Sequence, residues 1–345
     1  MPSKGCYAGA GMSEAVRWGV LGAARIALQK VIPAMQRSQL SEVKAIASRD
    51  RSRAEGAADE LGIGKAYGSY EELLADPEIE AVYNPLPNHL HVPWTRRAAE
   101  AGKHVLCEKP IARTAAEAQE LLAVRDSTGV QLAEAFMVRS HPQWLAAREI
   151  VRSGAIGRLR AIQAFFSYMN LDPANIRNRP DLGGGGLLDI GCYPVVGSRY
   201  LFGAEPSRVL ALVENDPKFG TDRLVSAVLD FPEGQASFVC STQLVPYQSV
   251  QAFGTEGRVE IEIPFNAPPD RPCRIFVDDG RALGAASART VTFAVADQYT
   301  LQADRFSALI REGGQPDFPL EDAIQNMRVL DGLVESGRTS SWVAL

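Results

Sequence analysis

Along the first 138 residues, short apolar runs alternate with segments in which apolar positions recur every three or four residues. Residues 16–21 (Val-Arg-Trp-Gly-Val-Leu) and 43–47 read as buried strands, and 81–83, 104–107 and 130–136 continue the series. The helices between them announce their ends. Ser69-x-x-Glu72 and Thr114-x-x-Glu117 are capping boxes, and the helix after Asn88 stops at Gly102, where a C-terminal glycine belongs. Strands separated by helices of this length predict a doubly wound parallel sheet. Beyond residue 156 strands follow one another directly, at 159–168, 223–231, 235–242, 249–253, 259–263 and 290–295. Turn residues join them, as in Asp230-Phe231-Pro232-Glu233-Gly234 and Gly254-Thr255-Glu256-Gly257. This half predicts an open, mainly antiparallel sheet with helices on one face, two of them at 303–312 and 321–337. His141, before Pro142, is expected to cap a helix leading to Gly154, and the Pro-rich stretch 264–272 to form a surface loop.

Size and composition agree with two domains. A chain of 345 residues is long enough for two cores, and 46% hydrophobic with 22% charged residues is a globular composition. The expected division is a loose leader over 1–15, a nucleotide-binding domain over 16–138 and a substrate and assembly domain over 139–345. The net charge of −5 gives no general attraction for nucleic acid or an anionic membrane. No apolar run reaches membrane-spanning length, and the first fifteen residues do not read as an export signal. Five cysteines without a C-x-x-C pair suggest neither a disulfide framework nor a zinc cluster, so a cytoplasmic, reduced protein is expected.

The first strand runs into Gly22-Ala23-Ala24-Arg25-Ile26-Ala27, a dinucleotide turn with alanines at the second and third glycine positions. Small residues there let backbone N–H groups and a helix N-terminus approach a pyrophosphate, although such residues also serve plain packing. The second strand ends Ala47-Ser48-Arg49, with Arg53 a turn later. A hydroxyl and two guanidinium forks suit a ribose 2′-phosphate, hence NADP, unless they are solvated loop charges. Asp50 keeps NAD open. Glu108-Lys109-Pro110 ends the strand at 104–107, at the sheet edge where such folds bind ligands. Four glycines at 183–186 would allow close backbone approach to a ligand, and the helix after them sets Asp189 and Tyr193 four residues apart on one face.

These motifs resemble the Gfo/Idh/MocA oxidoreductases, over nearly the whole chain from Trp18 to about Trp342. The carriers are Gly22–Ala27, Tyr83-Asn84-Pro85-Leu86-Pro87-Asn88, Glu108-Lys109-Pro110, Glu134-Ala135-Phe136-Met137 and the block from Gly183 to Pro194. The resemblance implies a Rossmann domain and a second α+β domain. It makes Lys109, before a cis Pro110, the catalytic lysine, and Asp189 and Tyr193 the family's D-x-x-x-H/Y pair. It places Leu86, Asn88 and His91 along the nicotinamide and ribose. Tyrosine at 193 is the form found in the branch of glucose–fructose oxidoreductase, aldose dehydrogenase and dimeric dihydrodiol dehydrogenase. The alanines at 24 and 27 depart from the glycine pattern.

The chemistry then expected is hydride transfer between a sugar or polyol carbinol carbon, with aldose C1 giving a lactone, and the nicotinamide of NADP. A free tyrosine is a poor base near neutral pH, so Tyr193 would act as acid–base with its phenol lowered by the Lys109 ammonium. Asp189 would orient a hydroxyl or hold the lysine, and Arg177 is a candidate substrate contact. A trans-dihydrodiol dehydrogenase, a cofactor-retaining aldose–aldose oxidoreductase and a redox-silent NADP(H)-binding regulator are the competing readings. His89 and His91 lack the further ligands of a metal site, and no metal is expected. An exposed sheet face predicts a homodimer or homotetramer.

Overall fold

The computed structural model describes residues 14–345; residues 1–13 of the expected leader lie outside the described residues. Six strands, β1 (Val16–Leu21), β2 (Ser41–Ala47), β3 (Lys65–Tyr67), β4 (Ala81–Asn84), β5 (His104–Glu108) and β6 (Leu132–Ala135), form an all-parallel sheet ordered β3-β2-β1-β4-β5-β6. Helices cover both of its faces, which is why β1 and β4 are apolar at almost every position. Both capping boxes form: Ser69 Oγ accepts from the Glu72 N–H at 3.1 Å and Thr114 Oγ1 from the Glu117 N–H at 3.2 Å. The His141 ring accepts from the Gln143 N–H at 3.3 Å and opens the helix Pro142–Arg152.

The second sheet has nine strands. β7 (Leu159–Met169), β8 (Arg208–Asn215), β9 (Asp222–Phe231), β10 (Gly234–Ser241), β11 (Gln243–Gly254), β12 (Arg258–Ile261), β13 (Cys273–Asp278), β14 (Arg289–Phe293) and β15 (Val343–Ala344) lie in the order β14-β13-β12-β11-β7-β10-β9-β8-β15. Only the β7–β10 pairing is parallel. Helices Pro142–Arg152, Cys192–Phe202 and Leu320–Thr339 cover one face, and β9 alternates buried and half-buried residues accordingly.

Two expectations need correction. The stretch 264–272 is not simply a surface loop: Phe265 is fully buried and Ala267 nearly so, because the segment folds under Trp144, whose indole donates to the Pro264 carbonyl at 2.7 Å. Nor does residue 138 close the first core. Helix Gln298–Glu312, from the far end of the chain, packs on the first sheet: Phe306 lies 5.7 Å from the Trp18 ring, and the Trp18 indole donates to Ser307 Oγ at 3.2 Å.

Candidate active site

The nucleotide turn follows β1. Gly22 has φ +88°, and a Cβ there would lie 2.9 Å from Leu86, so both backbone and space demand glycine. The next helix starts with a π-turn at Ala27–Val31, where the Ile32 N–H reaches back to the Ala27 carbonyl. Pro33, which has no N–H for the preceding turn, explains the widening. Ala23, Ala24 and Ile26 are half-buried beside the turn and Arg25 is exposed. At the end of β2, Ser48 is buried while Arg49 and Arg53 are exposed, and neither arginine has a carboxylate partner among the described residues. Arg53 leans over the turn and donates to the Ala23 carbonyl at 3.3 Å. Asp50, the carboxylate that left NAD open in the sequence, serves the next helix through one oxygen. Its Oδ1 accepts from the Ser52 N–H at 3.0 Å, the Ser52 hydroxyl at 2.7 Å and the Arg53 N–H at 3.4 Å, capping helix Arg51–Leu61. Two guanidiniums without a carboxylate partner among the described residues form a donor set that fits a 2′-phosphate.

Across the sheet edge, the Lys109–Pro110 bond is cis. The Lys109 ammonium donates to the Asp189 carbonyl at 2.5 Å and lies 3.5 Å from Asp189 Oδ1. The other carboxylate oxygen, Oδ2, takes Arg177 Nε at 2.8 Å and the Tyr168 hydroxyl at 2.5 Å. Burial alone would raise the Asp189 carboxyl, but Arg177, Lys109 and Tyr168 outweigh it and hold it well below the usual carboxylate range. Burial likewise favours a neutral Lys109, yet Asp189, Cys192 and Glu108 keep it above the ordinary lysine value. Asp189 sits in a π-turn, Leu187–Gly191, just before Pro194, another residue that cannot donate to the preceding helical turn. Glu108 is engaged by protein groups: it accepts from the Tyr83 hydroxyl at 2.7 Å and the Lys109 N–H at 3.3 Å.

The structure places three of the expected site groups in surroundings other than those expected. Tyr193 does not offer its hydroxyl to Lys109. The ammonium lies over the ring face, 4.9 Å from its centroid, and the hydroxyl points at Met137 Sδ, 3.6 Å away. Phe136, Phe166 and Phe265 surround the ring at centroid distances of 5.3, 5.7 and 5.4 Å. Burial first, then Tyr299 and Glu108, push this phenol well above its ordinary value, the opposite of a lowered phenolate. His91 does not line a cofactor cleft either. It is 1% exposed, with Nδ1 2.7 Å from the Pro110 carbonyl and Nε2 2.6 Å from the Leu86 carbonyl, tying together the two loops on either side of it. Burial pushes its imidazole down to about 4.

The third concerns the glycine block, which protein groups approach closely. A Cβ at Gly184 would lie 2.5 Å from the Arg177 carbonyl, and one at Gly185 would lie 2.0 Å from Asp222 Oδ1. Asp222 in turn accepts from the Leu187 N–H at 2.5 Å and so fixes the start of the helical segment carrying Asp189. Asn88 donates to the Gly183 carbonyl at 2.8 Å, joining the two domains beside the site. Leu86 is buried against the nucleotide turn. Cys107 and Cys192 are free thiols; burial raises both, Cys192 to about 12, which removes them as nucleophiles. Tyr168 escaped sequence reasoning because it sits at the end of an apolar strand, 21 residues from its partner, with no spacing to link them.

A parallel sheet with a dinucleotide turn, and at its edge a largely buried lysine whose aspartate partner comes from the second domain, define a two-domain oxidoreductase. Residues 16–136 match the model of an oxidoreductase family with an NAD-binding Rossmann fold, and residues 144–260 match the GFO/IDH/MocA C-terminal domain. The chain belongs to this GFO/IDH/MocA oxidoreductase family. An uncharacterized oxidoreductase of Rhizobium meliloti is 53% identical over 330 residues, covering 95% of this chain and 99% of that one. The NADP(+)-dependent D-xylose 1-dehydrogenase 2 of Haloferax volcanii is 40% identical over 333 residues, with 95% and 99% covered. Among solved structures, a 3-ketoreductase from Actinomadura kijaniata in complex with NADP and TDP-benzene is similar with a TM-score of 0.87 and 30% identity, covering 93% and 98% of the two chains.

Proposed function

We propose that the protein is an NADP(H)-dependent dehydrogenase of a sugar or polyol, acting at a carbinol carbon, with aldose C1 oxidised to a lactone as the leading reaction. The observation that carries this reading is the Lys109–Asp189 pair, one residue from each domain, at the sheet edge that also bears the nucleotide turn. The similarity to the xylose dehydrogenase supports the substrate class and the cofactor. Gly22, Ala23, Ala24, Arg25 and Ile26 would face the pyrophosphate, with Ser48, Arg49 and Arg53 at the 2′-phosphate. NADP+ held by these residues would supply the hydride acceptor for oxidation of the carbinol carbon to a carbonyl.

Proton movement falls to Lys109, not Tyr193. In reduction the ammonium donates a proton to the carbonyl oxygen of the substrate; in oxidation the neutral amine takes the hydroxyl proton. Asp189 holds the ammonium in place and stays ionised throughout, since Arg177 and Tyr168 share its charge. Tyr193 contributes its ring face, against which the ammonium rests. The test mixes protein and NADP+ with aldoses, inositols and a trans-dihydrodiol while NADPH absorbance is followed, then repeats the series with NAD+. Growth with an aldose is the expected result, and silence across the panel with nucleotide binding intact would defeat the reading.

A homodimer or a dimer of dimers completes the proposal. The sheet face away from the helices presents Phe165, Leu210, Leu212, Val228, Val239 and Tyr247, with Leu212 71% exposed. A second copy covering this face would bury those side chains.

A further inference from the structure

We propose that Tyr168 is a specificity-determining residue. Its hydroxyl oxygen, with the Arg177 guanidinium, reads an oxygen on the carbon next to the reacting carbinol, so that vicinal diols are the preferred substrate class. This inference rests on the function proposed above.

The argument is one of hydrogen-bond supply. Tyr168 stands at the end of β7, half-buried. Its single proton is committed: the hydroxyl donates to Asp189 Oδ2 at 2.5 Å, and Asp189, held ionised by its cationic neighbours, has none to give back. Burial and the facing carboxylate keep the phenol protonated. Its oxygen therefore meets a ligand only as an acceptor. Arg177 approaches the same Oδ2 through Nε, at 2.8 Å, and its side chain is 41% exposed. Its Nη groups have no acceptor among the described residues and meet a ligand only as donors. An acceptor and a donor side by side suit one group, a hydroxyl, which needs both.

Asp189 spaces this pair from Lys109. Lys109 lies on the Oδ1 side and the Tyr168–Arg177 pair on the Oδ2 side. Lys109 holds the Asp189 main-chain carbonyl and the Oδ1 side while Tyr168 and Arg177 hold Oδ2, so a substrate whose reacting hydroxyl sits at Lys109 would bring the oxygen of the adjacent carbon toward Tyr168 and Arg177. A carbinol without that neighbour would leave the pair unsatisfied on desolvation.

Tyr168→Phe in the full chain tests this with D-glucose and 2-deoxy-D-glucose, which differ only at the hydroxyl beside the anomeric carbon. In wild type, kcat/KM favours glucose by about 10- to 100-fold, the scale of one charge-supported hydrogen bond. In the variant the ratio falls to within about threefold of one, through lost glucose turnover, while the affinity for NADP+ stays at the wild-type value. Titration of NADPH fluorescence with the same sugars reads the preference in binding without turnover. If wild type turns over neither sugar but binds glucose preferentially, and Tyr168→Phe abolishes that preference, the redox reading fails and this inference stands. A ratio that Tyr168→Phe leaves intact in both assays, or equal losses for both sugars, overturns it.

Discussion

The two ends of the cleft handle positive charge in opposite ways. At the nucleotide end Arg49 and Arg53 are exposed, and Asp50, the carboxylate between them, is spent on a helix cap. At the catalytic end Lys109 and Arg177 converge on one carboxylate, which Tyr168 also bonds. The first arrangement leaves cations for a ligand to neutralise; the second neutralises them beforehand and so fixes where they stand. A cation without a carboxylate is free to meet an anionic ligand, and one already paired holds a geometry that a reaction needs in advance.

Lys109→Met tests the second arrangement most severely. Removing a positioned acid–base group is expected to cost about 10²- to 10⁴-fold in kcat, with NADP+ binding retained by fluorescence titration. Near-normal turnover would sink the proton-transfer role. At the other end, Arg49→Ala combined with Arg53→Ala is expected to raise KM for NADP+ by about 10- to 100-fold, each guanidinium making a charge-assisted bond to phosphate. KM for NAD+ should barely move. An equal rise for both nucleotides would mean that the arginines serve the turn rather than the 2′-phosphate.

The pH profile separates the ends again. Asp189, Cys192 and Glu108 outweigh burial and hold Lys109 above its ordinary value, so the neutral amine needed for oxidation accumulates only in the alkaline range. Oxidation should rise with pH by up to about tenfold per unit until the folded-state pKa is reached, while reduction should fall over the same range. Stopped-flow rates of the chemical step check the sign. An oxidation rate falling through the alkaline range would contradict Lys109 as the base.

The sequence made the nucleotide turn and the parallel character of the first sheet legible for the same physical reason. Turns, caps and buried strands are local, and Gly22, Ser69 and Thr114 carry their instructions within a few residues. The catalytic end was legible in membership but not in orientation. Lys109, Asp189 and Arg177 lie together, from positions up to 80 residues apart, although no spacing in the sequence joined Arg177 to Asp189. The direction of the Tyr193 ring depends on Phe136, Phe166 and Phe265, three side chains from separate segments, and Phe265 lies in a stretch whose prolines suggested solvent. The glycines at 183–186 mislead in a similar way. Small residues record a close approach, and only the fold reveals that the approaching group is Asp222 or the Arg177 backbone. Strand β13 was missed because it follows that proline stretch, and β3 because its three residues are too few to show a period.

At the sheet face, Leu212→Asp tests assembly. Light scattering is expected to give an oligomer for wild type and a smaller particle for the variant, because a buried, unpaired carboxylate would oppose association. A wild-type monomer would remove the proposed dimer.

The smallest expected effect discriminates best between sequence and structure at the catalytic end. Were Tyr193 the acid–base, Tyr193→Phe would cost as much as Lys109→Met and would remove a limb of the pH profile. Among the described residues the hydroxyl meets only the Met137 sulfur, a weak acceptor, and the useful part of the residue is the ring beneath the ammonium. Phenylalanine keeps that ring, so kcat should stay within about threefold of wild type with an unchanged pH profile. Tyr193→Leu removes the ring face as well and should cost roughly tenfold, the upper range for a desolvated cation–π contact. Steady-state rates with both variants, across the alkaline range, decide the matter. A loss of two orders of magnitude in Tyr193→Phe, or a flattened pH limb, would return the proton to the phenol and require the ring to turn its hydroxyl toward the substrate when the site is occupied.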